Sequence, residues 1–191
     1  MASLKGTKTE QNLLKAFAGE SQARNRYTYF ASVAKKEGYE QISAIFQETA
    51  DNEKEHAKRF FNFLEGGCVE ITACYPAGII ATTPENLKAA AEGENEEHTI
   101  LYPGFAAVAE QEGFPQVAAC FRMISKVEVE HEKRYLKLLS NIETETVFKK
   151  DNDTRWKCRN CGYVHEGDGA PQKCPACLHP QSYFELKETN Y

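Results

Sequence analysis

The sequence AKKEGYEQISAIFQETADNEKEHAKRF (residues 34–60) is matched in pattern, 75 residues later, by AEQEGFPQVAACFRMISKVEVEHEKRY (residues 109–135). The offset places Glu53 over Glu128, and a Glu-x-x-His motif begins at each of them. In both copies the apolar side chains recur at alternating steps of four and three residues, which is the spacing of one buried face of an α-helix. Each copy therefore predicts an amphipathic helix with a Glu-x-x-His motif on its buried face.

Helical periodicity extends from these copies over four stretches, residues 9–37, 39–65, 84–112 and 115–142. Gly38 and the Gly113-Phe114-Pro115 step predict tight turns between consecutive helices. The segment GGCVEITACYPAGIIATT, residues 66–83, is too long for such a turn. We therefore expect an all-α four-helix bundle with a long crossover between helices two and three, as in ferritin-like bundles.

The chain divides into two domains after the fourth helix. The segment ETETVFKKDNDTR that follows Ile142 is polar and aperiodic. We predict a bundle at residues 1–142, a linker at 143–154 and a small four-cysteine domain at 155–191.

The third helix contains one residue more than the first. Glu20 corresponds to Glu94, at an offset of 74, whereas Tyr27 corresponds to Tyr102, at an offset of 75. A single inserted residue in a helix is commonly accommodated as a π-bulge, often at a functional site. We predict a π-bulge between Glu94 and Tyr102.

Acidic and histidine side chains on the buried helix faces converge near the middle of the bundle: Glu20, Glu53, His56, Glu94, Glu97, Glu128 and His131. Five buried carboxylates would repel one another and take up protons unless cations were present. One Glu from each of two helices, with Glu-x-x-His from each of the other two, is the pattern of di-iron and di-manganese carboxylate proteins. These donors suit Fe, Mn or Zn, and bridging by Glu53 and Glu128 would hold two ions close together.

A single Glu-x-x-His on a helix is usually a solvated charge pair, but two copies on apolar faces favour a metal site. The neighbouring Glu55, Glu96, Glu130 and Glu132 lie off these faces, and we expect them at the surface. We expect His98, also off the face, to be structural.

The net charge of −5 provides no basic surface for nucleic acid or for an anionic membrane. No apolar run approaches the roughly 18 residues that a membrane span requires. We expect a cytoplasmic protein, and in a reducing compartment paired cysteines are metal candidates. Three of the seven cysteines, Cys68, Cys74 and Cys120, are isolated, and we expect them to be small buried apolar side chains.

The other four cysteines form two C-x2-C pairs separated by twelve residues: Cys158 and Cys161, then Cys174 and Cys177. This spacing predicts a tetrahedral thiolate site for Fe or Zn. Gly162 after the first pair and Pro175 inside the second make these loops similar to the cysteine loops, or knuckles, of rubredoxins, which favours iron. The spacer is shorter than in free-standing rubredoxins, and Leu178 stands where the second knuckle usually has Gly. We expect His165 and His179 to be surface or packing residues.

The motifs GESQARNRY (19–27), EKEHAKRF (53–60), ENEE (94–97), EVEHEKRY (128–135), CRNCGYVHEG (158–167) and CPACLHP (174–180) resemble the rubrerythrin family. The resemblance covers essentially the whole chain. It implies that the seven Glu and His residues are ligands or candidate ligands of a di-iron site, and that Glu97 and His56 are positions where one iron changes ligand with oxidation state. Tyr27 and Tyr102 match tyrosines that contact the ligands in the family, although packing explains them equally well from sequence alone.

The sequence and the resemblance together lead us to expect a peroxidase that reduces hydrogen peroxide to water. Two irons would react in the bundle, and one four-cysteine iron would relay electrons to them from a small redox protein or reductase fed by NADH. The resemblance implies a homodimer or larger homo-oligomer with transfer between subunits. Two alternatives stay open: a ferroxidase or iron-handling bundle, and a zinc-holding cysteine domain that docks a partner.

Overall fold

The fold of residues 3–190 is described here from a computed structural model. Its helices are α1 (Lys8–Lys36), α2 (Glu40–Phe61), α3 (Thr83–Glu96), α4 (Tyr102–Gln111) and α5 (Pro115–Glu143). A five-residue π-helical segment, Glu97–Leu101, joins α3 to α4 into one rod. The four-helix bundle is therefore confirmed, and the predicted π-bulge lies between Glu94 and Tyr102. Within the described residues, no helix combines the length and apolar composition needed to span a bilayer.

The two tight turns have the same construction. Gly38 and Gly113 adopt positive φ values of 86° and 84°, which glycine tolerates without steric cost. In the first turn the Tyr39 amide donates to the Ala34 carbonyl at 2.8 Å, and the Phe114 amide makes the equivalent 2.8 Å bond in the second. These bonds satisfy helix-terminal carbonyls and reverse the chain after α1 and α4.

The connection between α2 and α3, residues 62–82, has no regular secondary structure. It is attached to α1 through Tyr75, whose hydroxyl donates to the Lys15 carbonyl at 2.7 Å. At its end Thr82 is the N-cap of α3, and its amide donates to Glu85 at 3.1 Å. The connection therefore lies along the bundle surface and returns the chain for the second helix pair, as the crossover prediction required.

The interior of the bundle contains two separate hydrophobic clusters. The turn cluster lies toward the α1–α2 turn and includes Phe30 and Phe46, whereas the far cluster includes Leu13, Phe60 and Phe121. The buried glutamates occupy the level between the two clusters. Apolar packing on both sides of this charged layer therefore fixes the helices that supply its side chains.

The C-terminal domain contains three antiparallel strands, β1 (Lys149–Cys158), β2 (Val164–Gly169) and β3 (Phe184–Leu186), in the order β2-β1-β3. Its small core is centred on Trp156, which is fully buried and donates from its ring nitrogen to the Gly167 carbonyl at 3.0 Å. Strand β1 begins inside the stretch expected as a linker, because Lys149 pairs with Gly169. The proposed domain limits stay predictions.

This small domain packs against the turn between α1 and α2. Phe148 stacks on Tyr39 with ring centroids 6.3 Å apart and planes 4° apart. A Cβ added at Gly38 would lie 3.6 Å from the Cβ of Ser182. The four-cysteine domain therefore sits at the end of the bundle where α2 begins.

The two adjacent phenylalanines of α2 provide a matched test of the packing inside the helical bundle. Phe60 is fully buried, whereas Phe61 is 55% exposed. We expect Phe60→Ala to lower the free energy of unfolding by about 3–5 kcal/mol, since it removes a core ring and leaves a cavity. Phe61→Ala should cost less than about 1 kcal/mol. Denaturant unfolding of both variants checks this, and equal losses would contradict the assigned packing.

Candidate metal centres

The charged layer of the bundle contains two groups of metal-binding side chains. One group is Glu20, Glu53, His56 and Glu128, and the other is Glu53, Glu94, Glu128 and His131. Within each group the candidate ligand atoms lie within 4.8 Å of one another. The groups share Glu53 and Glu128, so they describe two adjacent positions.

The two shared carboxylates each direct one oxygen toward each histidine. Glu53 Oε2 lies 2.8 Å from His56 Nδ1, and Glu53 Oε1 lies 3.2 Å from His131 Nδ1. Glu128 places Oε1 3.0 Å from His56 Nδ1 and Oε2 2.7 Å from His131 Nδ1. This is the arrangement that two bridging carboxylates between two ions require.

The outer ligands repeat the same symmetry. Glu20 Oε2 lies 3.8 Å from His56 Nδ1, and Glu94 Oε2 lies 3.8 Å from His131 Nδ1. The two imidazole rings lie 6.0 Å apart between centroids. The internal sequence repeat is therefore expressed as an approximate two-fold symmetry of the site.

The donor atoms fit metal ions better than they fit one another. Both oxygens of Glu53 and Glu128, and the Nδ1 atoms of His56 and His131, are buried without a hydrogen-bond partner of acceptable geometry. Such orphaned groups are rare in protein interiors. Metal–ligand distances of about 2.1 Å would separate neighbouring donors by roughly 3.0–3.4 Å, within the range of the distances found here. The charged layer therefore fits a pair of ions.

The pKa shifts of the buried side chains also indicate that the layer needs cations. Burial raises the pKa of Glu20 and of Glu53, and it raises the pKa of Glu94 to about 7. Burial lowers the pKa of His131, but its contacts with Glu128 and other carboxylates outweigh burial and raise that pKa to about 12. The layer has more carboxylates than imidazoles, and bound cations would replace protons as the compensating charge.

Two tyrosines hold the outer carboxylates. The Tyr27 hydroxyl donates to Glu94 Oε1 at 2.6 Å, and the Tyr102 hydroxyl donates to Glu20 Oε1 at 2.5 Å. Tyr27 also packs in the turn cluster and Tyr102 in the far cluster. Each tyrosine therefore both packs in a hydrophobic cluster and contacts a candidate ligand, so the two explanations offered from the sequence are compatible.

Glu97 lies beside the groups but belongs to neither of them. It begins the π-helical segment, and its Oε1 would lie 3.8 Å from a Cβ added at Gly19. Burial, followed by the charge of Glu20, raises the pKa of Glu97 well above its usual range. Glu97 is thus the predicted ligand at which the symmetry of the site breaks.

His98 belongs to none of these groups. Its Nε2 atom lies 2.6 Å from Glu132 Oε2, and both side chains are partly buried. This contact is what a structural role for His98 would require, and that role stays a prediction. Glu132 is less exposed than expected because of this contact, whereas Glu55, Glu96 and Glu130 are exposed.

The four cysteines of the C-terminal domain form the third group. The Sγ atoms of Cys158 and Cys177 lie 3.7 Å apart, as do those of Cys161 and Cys174. Tetrahedral ligation with metal–sulfur distances of about 2.3 Å gives sulfur–sulfur distances of roughly 3.8 Å. The group therefore has the dimensions of a tetrathiolate metal site.

Both cysteine loops have the same backbone geometry. The Gly162 amide donates to the Cys158 carbonyl at 2.8 Å, and the Leu178 amide donates to the Cys174 carbonyl at 2.9 Å. Leu178, which departs from the usual glycine, nevertheless adopts a positive φ of 64°. That conformation costs a leucine about 1–2 kcal/mol, which the rest of the loop must offset.

Backbone amides also reach the sulfur atoms. A hydrogen bond from the His179 amide is the main cause that lowers the pKa of Cys177 to about 6. Such bonds favour the thiolate that ligates metal, and they tune the potential of a bound iron.

The expectation for the isolated cysteines needs correction. Cys68 and Cys74 are exposed and only Cys120 is half-buried, so the expectation of buried apolar cysteines is wrong for the first two. They lie in the aperiodic connection between α2 and α3, most of whose residues are exposed. The sequence also gave no signal for Tyr75, whose ring would lie 3.6 Å from a Cβ added at Gly19.

Comparison with known proteins identifies both domains. The rubrerythrin family model matches residues 11–139, and the model for the rubredoxin-like domain of rubrerythrins matches residues 156–185. Rubrerythrin of Porphyromonas gingivalis is 66% identical over 189 residues, covering 99% of this chain and 94% of that protein. Rubrerythrin of Nitratidesulfovibrio vulgaris is 58% identical over 191 residues, covering 100% of both.

The solved structures agree with these matches. Nigerythrin in its partially reduced state is 32% identical, with a TM-score of 0.64, covering 97% of this chain and 92% of the other. The two domain matches, the two carboxylate groups and the four-cysteine group all lead to one assignment. The chain belongs to the rubrerythrin family of di-iron oxidoreductases, with the carboxylate and histidine residues of a di-iron site in its ferritin-like bundle and a four-cysteine metal site in its rubredoxin-like domain.

Proposed function

We propose that this chain is a peroxidase that reduces hydrogen peroxide to water in defence against oxidative stress. The observation that best supports this proposal is that one chain combines a paired carboxylate site with a single tetrathiolate site. Cleavage of the oxygen–oxygen bond to give two waters consumes two electrons and two protons. A pair of reduced irons held by the carboxylates and histidines of the bundle would supply two electrons, and an iron held by the four cysteines would supply replacements one at a time.

We assign the ligands of the iron pair to Glu20, Glu53, His56, Glu94, Glu97, Glu128 and His131. Glu53 and Glu128 are the proposed bridges, since each directs its two oxygens to different histidines. Glu97 is assigned to the ion of Glu20 and His56, because its Oε1 lies 3.8 Å from the position of a Cβ added at Gly19, the residue next to Glu20. Cys158, Cys161, Cys174 and Cys177 are the proposed ligands of the relay iron.

The protein itself positions the reacting groups. Tyr27 and Tyr102 fix the outer carboxylates by short hydrogen bonds, and both phenols are fully buried. Burial raises the pKa of each phenol well above its usual range, so both stay protonated and keep donating. The two hydrophobic clusters exclude bulk water from the charged layer on both sides.

We propose that the relay iron serves the bundle of a partner subunit in a homodimer. The four-cysteine domain packs at the start of α2, whereas Glu53 lies thirteen residues further along, a rise of roughly 20 Å. That distance is long for transfer within one chain. Exposed apolar side chains, including Phe61, Ile79 and Ile100, offer surface for a second copy.

The electron donor to the relay iron would be a small redox protein or a reductase. We place the protein in the cytoplasm, because a reducing compartment keeps the four thiolates available for metal. A ferroxidase or iron-handling role is the main alternative, but it leaves the relay site without a purpose.

Removal of metal should destabilise the bundle, since the buried carboxylates would lose their compensating charge. For ions present at about a thousand times their dissociation constant, the lost linkage of roughly 4 kcal/mol corresponds to a fall in Tm on the order of 10 °C. Calorimetry before and after chelation measures it. The double variant Glu53→Gln/Glu128→Gln should lose this dependence on metal.

The matched control for that experiment is Glu55→Gln/Glu130→Gln, which changes two exposed glutamates on the same helices. Its response to chelation should equal that of the unsubstituted protein. If chelation left the Tm of the unsubstituted protein unchanged, the proposed ligand set would be wrong.

The proposed reaction predicts a preference between oxidants. Stopped-flow mixing of the fully reduced protein with hydrogen peroxide should oxidise the bundle irons much faster than mixing with dioxygen. Faster reaction with dioxygen would refute the peroxidase proposal. Uptake of more than two irons per bundle, measured by metal analysis, would favour the iron-handling alternative.

Transfer between subunits predicts that two inactive variants restore each other. Cys161→Ser disables the relay site, and Glu53→Gln/Glu128→Gln disables the bundle site. Homodimers of either variant should lack peroxidase turnover with an external electron donor. A heterodimer isolated by two affinity tags should recover about half of the unsubstituted rate, because one intact bundle faces one intact relay. A heterodimer without activity would place the transfer within one chain.

A further inference from the structure

A cavity of about 270 Å³ lies between α1, the α2–α3 connection and the rod formed by α3 and α4. Its walls include Gly19, Tyr27, Tyr75, Glu97, Tyr102 and Phe105. The proposed peroxidase reaction, with hydrogen peroxide as substrate, does not account for this volume.

The cavity adjoins the iron-binding layer directly. Tyr27 and Tyr102 form part of its wall and donate to the outer carboxylates Glu94 and Glu20. Glu97, the assigned ligand that lies outside both compact groups, forms another part of the wall. A molecule in the cavity would therefore lie next to the iron-binding layer, at the side where Glu97 stands.

The cavity is much larger than hydrogen peroxide needs. A water molecule occupies about 30 Å³ in the liquid, so this space corresponds to roughly nine waters. It approaches the lower end of the range of pockets that hold organic ligands, about 300 Å³. The volume is sufficient for a small organic molecule.

The chemistry of the walls favours an uncharged apolar group. Ala16, Ala23, Pro76, Leu101 and Phe105 contribute apolar surface. The cations at the walls, Lys15 and Arg26, are matched in number by the anions Glu96 and Glu97. The basic and acidic side chains at the walls are equal in number, so the walls do not favour a charged substrate.

We propose that this cavity admits small organic hydroperoxides, with the organic group among the apolar walls and the hydroperoxide directed at the Glu97 side of the iron layer. The proposal rests on the peroxidase function and names a further substrate class for the same site. Cleavage of the oxygen–oxygen bond would consume two electrons, which a reduced iron pair held by the bundle residues would supply, and two protons from solvent, and it would give the alcohol and water.

Gly19 offers a way to fill the cavity from a helix. A Cβ at this position would make ordinary van der Waals contacts with Tyr75 at 3.6 Å and with Glu97 at 3.8 Å. A leucine in a helix leans toward the preceding turn, here toward Lys15 and Ala16 in the cavity wall. Gly104 in α4 is the matched control, because it is an exposed helical glycine with no atom within 4 Å of an added Cβ.

The test compares cumene hydroperoxide with hydrogen peroxide in stopped-flow oxidation of the fully reduced, iron-loaded protein. We expect the unsubstituted protein to react with both. Gly19→Leu should slow cumene hydroperoxide at least about tenfold and hydrogen peroxide less than about threefold, whereas Gly104→Leu should alter neither. Calorimetric titration with the product alcohol, 2-phenyl-2-propanol, should detect binding to the unsubstituted protein and not to Gly19→Leu.

The outcomes separate this proposal from the peroxidase proposal. Rapid reaction with hydrogen peroxide, but none with cumene hydroperoxide, would overturn only the organic substrate. Equal slowing of both oxidants by Gly19→Leu, or no binding of the alcohol to the unsubstituted protein, would also overturn it. Failure to react with either oxidant would contradict the peroxidase function itself.

Discussion

Two buried glutamates, Glu53 and Glu128, each present their two oxygens to two different histidines in the middle of the bundle. Carboxylates without compensation in such a place would cost several kcal/mol each, so the arrangement depends on bound cations. The rest of the bundle can be understood from this constraint. Two hydrophobic clusters hold the four helices rigidly above and below the charged layer, and two buried tyrosines fix the outer carboxylates.

The approximate symmetry of the layer and its defect have different consequences. The repeated helix pairs supply matching ligands to two positions, which explains why the same distances recur on both sides. The residue inserted in the rod of α3 and α4 produces the π-helical segment that begins at Glu97. Because Glu97 has no counterpart in the first pair, the two ion positions differ, and the cavity adjoins the position at which they differ.

Much of this architecture could be predicted from the sequence because it is carried by repetition and spacing. The repeat located Glu53, His56, Glu128 and His131, and the change of offset between Glu94 and Tyr102 located the π-bulge. The cysteine spacing likewise predicted the tetrathiolate group.

Features that depend on surface packing could not be predicted in this way. The path of residues 62–82 is set by contacts such as that of Tyr75 with Lys15, which leave no periodic pattern. The exposure of Cys68 and Cys74 follows from that path. The docking of the small domain depends on Phe148 stacking on Tyr39, and nothing in the polar segment around Phe148 indicates its partner. Helical periodicity places Glu97 on the buried face and the resemblance implies that it is a candidate ligand, but its position outside the two compact groups emerges only in three dimensions.

The central claim, that two shared carboxylates bridge a pair of ions, is tested most directly by a crystal structure of the iron-loaded protein with anomalous data at the iron edge. We expect three anomalous peaks per chain. Two should lie in the bundle, each within about 2.0–2.3 Å of oxygens from both Glu53 and Glu128, and the third among the four cysteines. A single bundle peak, or two peaks that do not share these carboxylates, would contradict the account.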